Sequence, residues 1–147
     1  MRIVVQDAPF DLGEEAGRFA QADAGVGAVV TFTGIVRNTA AGDLKAMEIE
    51  HYPGMTEAAL TEIAERAQTR WSLSDVLVIH RHGHLTPGEM IMMVATAAPH
   101  RADAFAAAEY LMDYLKSRAP FWKREITADG AAWVDAKDED EAALDRW

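Results

Sequence analysis

The residue that most constrains the fold is Pro120. Before it, from Arg101 to Leu115, apolar residues recur at helical spacing, with Phe105, Ala108, Met112 and Leu115 on one face. Proline lacks a backbone N–H and its ring clashes with the preceding turn, so the helix cannot run through it. Beyond it, Phe121 to Ile126 reads as a strand. The stretch Met112 to Glu125, Met-Asp-Tyr-Leu-Lys-Ser-Arg-Ala-Pro-Phe-Trp-Lys-Arg-Glu, must therefore turn a helix into a strand within a few residues. It is also a charge anomaly: the chain has net charge -10, yet Lys116, Arg118, Lys123 and Arg124 lie close together in it.

The rest of the chain reads as short strands and a few helices. Residues 2–6 form a first strand. Asp11 caps a helix running to about Gln21, with Glu14 placed as in a capping box and Leu12 and Phe19 as buried contacts. Val26 to Val36 is β-branched strand chemistry, and Gly34 within it marks a bulge or a close backbone approach. Arg37 to Asp43 reads as a mobile polar loop, and Leu44 to His51 as a strand. Thr56 to Arg70 is amphipathic, with Leu60, Ile63, Ala64 and Ala67 inward. Val76 to His82 and Glu89 to Ala97 are apolar strands around a Leu-Thr-Pro-Gly turn at 85–88, and Ala131 to Val134 pairs back after Asp129-Gly130. The tail from Asp135 is acidic. Strands joined mostly by turns, with a few helices, indicate one α+β domain over residues 1–147.

The acidic balance opposes nucleic-acid and anionic-membrane binding. There is no cysteine, which removes disulfides, thiolate metal sites and thiol nucleophiles. Any sulfur handled here has to arrive on something else. The start of the chain is too poor in apolar residues for a signal peptide, and no run approaches a membrane span, so the expected location is cytoplasmic.

Within the basic stretch, strand alternation puts Phe121, Lys123 and Glu125 on one face, and Trp122, Arg124 and Ile126 on the other. Lys116 follows Met112 by one helical turn. Lys116 and Lys123 can thus converge. A neighbouring cation and partial burial lower a lysine pKa and make a neutral amine available, while a second, charged lysine holds an anion. The bland alternative is a solvated basic strip. Arg37 in its loop and His100-Arg101 at a helix start are further anion contacts, helix N-termini favouring anions. His80, His82 and His84 would share a face if their strand ran on and could then bind zinc, but Gly83 loosens the spacing and no acidic or thiolate partner accompanies them. Edge-strand histidines are the preferred reading, and no metal is assigned.

These residues resemble the MoaE family, the large catalytic subunits of molybdopterin synthase. The resemblance rests on Val-Val-Thr-Phe-Thr-Gly-x-Val-Arg-Asn at 29–38, Glu-His-Tyr-Pro-Gly-Met at 50–55, His-Arg-x-Gly-x-Leu-x-Pro-Gly at 80–88, His-Arg at 100–101 and the stretch from Met112 to Glu125. It implies a hammerhead-like α/β part joined to an antiparallel sheet. It also implies conversion of cyclic pyranopterin monophosphate to molybdopterin, with both dithiolene sulfurs delivered by the thiocarboxylated C-terminus of a small ubiquitin-like subunit. The expected assembly is a homodimer at the core of a heterotetramer, without a cofactor.

By the same resemblance, Lys116 and Lys123 are the essential lysines, and Arg37, His100 and Arg101 contact substrate anions. Phe32, Met112 and Glu125 occupy further pocket positions. Lys137 stands where the family carries an arginine, keeping the charge and losing the bidentate fork. On this reading Lys116 is the acid/base beside the thiocarboxylate, and Lys123 binds substrate and assists proton transfer. Two other classes fit the residues: a noncatalytic module that holds a ubiquitin-like C-terminus, and a lysine Schiff-base enzyme acting on a phosphorylated carbonyl.

Overall fold

Two strands, β4 (Asp75–Arg81) and β6 (Met90–Ala98), are buried along nearly their whole length, and this is why their sequences run apolar without alternation. They form the centre of a first sheet ordered β1-β4-β6-β2, with β1 spanning Arg2–Gln6 and β2 spanning Ala28–Ile35. The β1–β4 pair is parallel and the others are antiparallel. The computed structural model describes residues 1–19, 21 and 23–147. The α+β class expected from the sequence is what forms.

Helix α1 (Leu12–Phe19) covers one face of this sheet, where Leu12 and Phe19 pack against Leu77, Ile79, Met93 and Ala95. Its start is capped as expected, the Glu14 amide donating to the Asp11 carboxylate at 2.9 Å. The last turn expected for it passes through position 20, outside the described residues. Helices α2 (Met55–Trp71) and α3 (Arg101–Arg118) pack on the other face over the main core, with Leu60, Ile63, Ala64 and Ala67 inward as predicted. Gly34 lies at the expected irregularity, where the β2–β6 register shifts.

The second sheet is antiparallel, ordered β5-β3-β7-β8, from β5 (Gly83–Leu85), β3 (Ala46–His51), β7 (Phe121–Thr127) and β8 (Gly130–Trp133). The strand expected to end at His82 instead hands the chain from one sheet to the other. Gly83, at φ 94°, makes that corner in a backbone region that disfavours side chains, and β5 then pairs with β3. The turn after β5 closes with the Glu89 amide donating to the Thr86 carbonyl at 3.1 Å.

One face assignment is corrected. Phe105 is 63% exposed, and the buried stripe of α3 is Ala104, Ala107, Ala108 and Leu111, with Met112 and Leu115 partly buried. The helix packs against β6, β2 and α2, and small side chains permit that approach; Phe105, one position round from Ala104, falls on the flank. The acidic tail also folds. Asp138–Ala143 forms α4, whose first turn of carboxylates suits the helix dipole, and a 3-10 turn follows at Leu144–Arg146. Trp147 packs edge-on against Trp71 and Tyr110, and its indole donates to Asp113 at 2.6 Å.

Candidate active site

The helix-to-strand corner is built as Pro120 requires. Helix α3 runs a turn past Leu115 to Arg118, Ala119 is extended, and β7 begins at Phe121. Thr56, fully buried at the start of α2, ties the corner down: its hydroxyl donates to the Pro120 carbonyl at 3.2 Å and accepts from the Tyr52 amide at 3.0 Å. Lys116 therefore leaves the last turn of α3 just before the corner, and Lys123 stands on β7 just after it.

Cross-strand register sets the surroundings of Lys123. It lies opposite Ile49 on β3, which is 2% exposed, between the pairs Phe121–His51 and Glu125–Met47. Burial against this apolar face, together with the charge of Lys116, pushes the Lys123 ammonium down to about 8, with Asp140 on α4 acting in the opposite sense. Lys116 itself is exposed. The charge of Lys116 acts on Lys123 and on His80.

The arginines of the same stretch are spent elsewhere. Arg118 makes a bidentate pair with Glu141 at 2.8 and 2.7 Å. Arg124, on the opposite face of β7 from Lys123, pairs with Glu48 and lies over the Trp133 ring at 5.3 Å. Among the described residues, no carboxylate lies within salt-bridge distance of Lys116 or Lys123.

The other predicted residues divide into two groups. Met112 is half-buried one turn before Lys116, and Glu125 is half-buried two residues past Lys123. Lys137 precedes α4, the helix that carries Asp140. Arg37 is exposed beyond the end of β2, where Val36 bonds to Gly88 and Glu89. Its loop is pinned by Asn38, whose side-chain oxygen accepts from the Thr39 and Leu44 amides. Ile35 pairs with Met90 and His80 with Met92, so Arg37 shares an end of the first sheet with His80 and the lysines. Phe32, 42% exposed, is on the same edge strand.

His100 and Arg101 are at the other end. They follow Ala98, which pairs with Ala28 at the start of β2. Gly27 there admits no side chain, since a Cβ would meet the Pro99 carbonyl oxygen at 2.2 Å. Arg101 begins α3 and Lys116 lies in its last turn, a rise of about 22 Å along the helix. Within one chain, these two residues do not reach the lysines.

The three histidines part company. His80 is 5% exposed and stacks on Phe121, centroids 3.7 Å apart and planes 16° apart. His82 lies against His51, ring centroids 4.1 Å apart and planes tilted by 34°, and His84 stands 3.8 Å from Glu48. No cluster of three metal-ligating side chains occurs among the described residues. His80 is therefore not the edge-strand histidine expected: it is buried on β4, a central strand of the first sheet, within reach of both lysine charges. Burial and the charges of Lys123 and Lys116 push its imidazole down to about 3, with the Arg81 carbonyl acting in the opposite sense. Its place after Val-Leu-Val-Ile, in a buried strand, was the available signal. Arg81 is structural: its guanidinium donates to the Asp7 carbonyl at 3.0 Å and the Met90 carbonyl at 3.2 Å.

A half-buried lysine with a lowered pKa, under the influence of a second lysine without a carboxylate partner, has the chemistry to attract an anion and to move a proton. The chain belongs to the family described as MoaE protein, whose pattern matches residues 5–118. A relative from Cereibacter sphaeroides, named molybdopterin synthase catalytic subunit, is 69% identical over 147 residues and covers 100% of both chains. The solved molybdopterin biosynthesis MoaE protein from Burkholderia ambifaria is 51% identical with TM-score 0.85, covering 99% of this chain and 97% of its own. Molybdopterin synthase from Staphylococcus aureus is 31% identical with TM-score 0.82, covering 90% and 96%.

Proposed function

We propose that this chain is the catalytic subunit of a molybdopterin synthase, acting in molybdenum cofactor biosynthesis as one domain over residues 1–147 in the cytoplasm. It takes sulfur from the thiocarboxylated C-terminus of a small ubiquitin-like subunit and installs it on cyclic pyranopterin monophosphate as the dithiolene. The observation that carries this reading is the lysine pair at the α3–β7 corner. A phosphate and a thiocarboxylate repel one another, and two cations without carboxylate partners hold both. With its pKa near 8, Lys123 is in part a neutral amine at physiological pH. This favours Lys123 as the acid/base and exposed Lys116 as the anion holder, the reverse of the roles expected from the resemblance. A chain without cysteine is consistent with sulfur carried in by a partner.

The same geometry supports a homodimer. Arg37 and the lysines are at one end of β2, and His100-Arg101 at the other. A two-fold axis at the β2 edge reverses one copy on the other and sets His100 and Arg101 of each beside the lysines of its neighbour. The edge is apolar enough for this, with Val29, Phe32, Ile35 and Phe105 exposed. Among the described residues, no helix is long and apolar enough to cross a membrane.

The test is to mix the purified chain with thiocarboxylated small subunit and cyclic pyranopterin monophosphate and assay the dithiolene product. Tight partner binding without product would favour the noncatalytic module. A borohydride-trapped substrate adduct formed without the partner would favour the Schiff-base enzyme. Full activity in Lys116→Ala and Lys123→Ala would overturn the lysine assignment.

A further inference from the structure

We propose that His80 is a positioning residue for the lysine site: its ring is the platform on which Phe121 stacks, and that stack sets where Lys123 places its amine. The inference deepens the reading of the lysine pair as the active site and rests on it. His80 belongs to β4 of the first sheet and Phe121 to β7 of the second, so their near-parallel contact at 3.7 Å joins the two sheets. Phe121 is the first residue after Pro120, and Lys123 is the next residue on the same face of β7. A shift of the Phe121 ring therefore moves the strand that carries Lys123 and alters how deeply its amine is buried.

The ring itself is fixed. Its Nδ1 is 2.7 Å from the Arg81 carbonyl oxygen, which can only accept, so Nδ1 carries the proton and Nε2 does not. The charged and titratable groups acting on it are Lys123 from β7, Lys116 from α3 and His82 beyond the end of β4. All three oppose protonation, so the platform stays neutral and adds no third cation to the pair.

The test reads Lys123 directly. Trace acylation of the amines across pH, mapped by peptide mass spectrometry with exposed Lys45 as internal standard, should place the wild-type Lys123 midpoint near 8. His80→Phe retains a stacking ring and should keep that midpoint. His80→Asn retains a donor for the Arg81 carbonyl but no ring, and should move it toward the ordinary lysine value, lowering acylation at pH 8 about tenfold or more. Phe121→Leu removes the stack from the other side and should match His80→Asn, which decides the matter if the asparagine variant does not fold. An unmoved midpoint in the folded variants without the stack, or a shifted one in His80→Phe, would overturn the platform. In the sulfur-transfer assay the loss in His80→Asn should fall on kcat and be largely recovered in His80→Phe. Absence of transfer in the wild type would defeat the functional reading and leave the acylation result standing.

Discussion

Helix α3 carries basic residues at both ends, and the ends are built differently. At its start, His100 and Arg101 are exposed, and nearby Gly27 is packed tightly against the Pro99 carbonyl. At its finish, Lys116 precedes the corner into β7, where Lys123 is half-buried opposite Ile49 of β3 and two residues from the stack of Phe121 on His80. Both ends can attract an anion. Only the second withdraws a cation from water far enough to lower its pKa, because desolvation disfavours the charged form.

The sharpest way to break this contrast is Lys123→Gln, which keeps bulk and polarity and removes the amine. Sulfur transfer should fall about a hundredfold or more, the range of general acid–base catalysis. In the wild type the rate should rise with pH through about 8, since a lysine held below its ordinary value gains its neutral form as pH passes that point. A rate independent of pH from 7 to 9 would show that the chemistry does not use this amine.

The second expectation concerns the start of the helix. Arg101→Ala should weaken transfer about tenfold or more through lost anion contacts, chiefly in KM. If two copies complete each site, mixing Lys123→Gln with Arg101→Ala should restore about a quarter of wild-type activity, since half the dimers are mixed and one site in each is intact. Mixed subunits no more active than their average would place Arg101 outside the site.

Lys116→Ala tests the coupling between the lysines. Its charge lowers the Lys123 pKa, so its loss should raise that pKa, and the variant should lose more activity near pH 7 than near pH 9. Equal losses at both would leave Lys116 as an anion contact alone.

Much of this arrangement was legible before any coordinates. Pro120 announced the corner, alternation put Lys123 and Arg124 on opposite faces, and helical spacing gave the inner stripe of α2. What was not legible depended on partners distant in the chain. Glu48 and Glu141, which pair with Arg124 and Arg118, come from β3 and α4, and no local pattern links them to the basic stretch. Phe105 fitted an apolar period but lost its place to alanines, because close packing favours small side chains over hydrophobic ones. The separation of Arg101 from Lys116 follows from helix length alone, yet mattered only once β2 and β6 set both ends of the sheet.

The smallest effect is expected where charge density is highest but already paired. Arg118→Ala removes a bidentate, exposed ion pair with Glu141, and such pairs contribute little in water, so activity should stay within about twofold of wild type. The direction is informative. Glu141 and Asp140 are consecutive in α4, and Asp140 works against the lowering of the Lys123 pKa. Releasing Arg118 frees this part of α4, weakens the influence of Asp140, and should move the Lys123 midpoint slightly down. A large loss of activity would mean that Arg118 contacts the substrate or the incoming tail directly, and that its pairing with Glu141 gives way when either arrives.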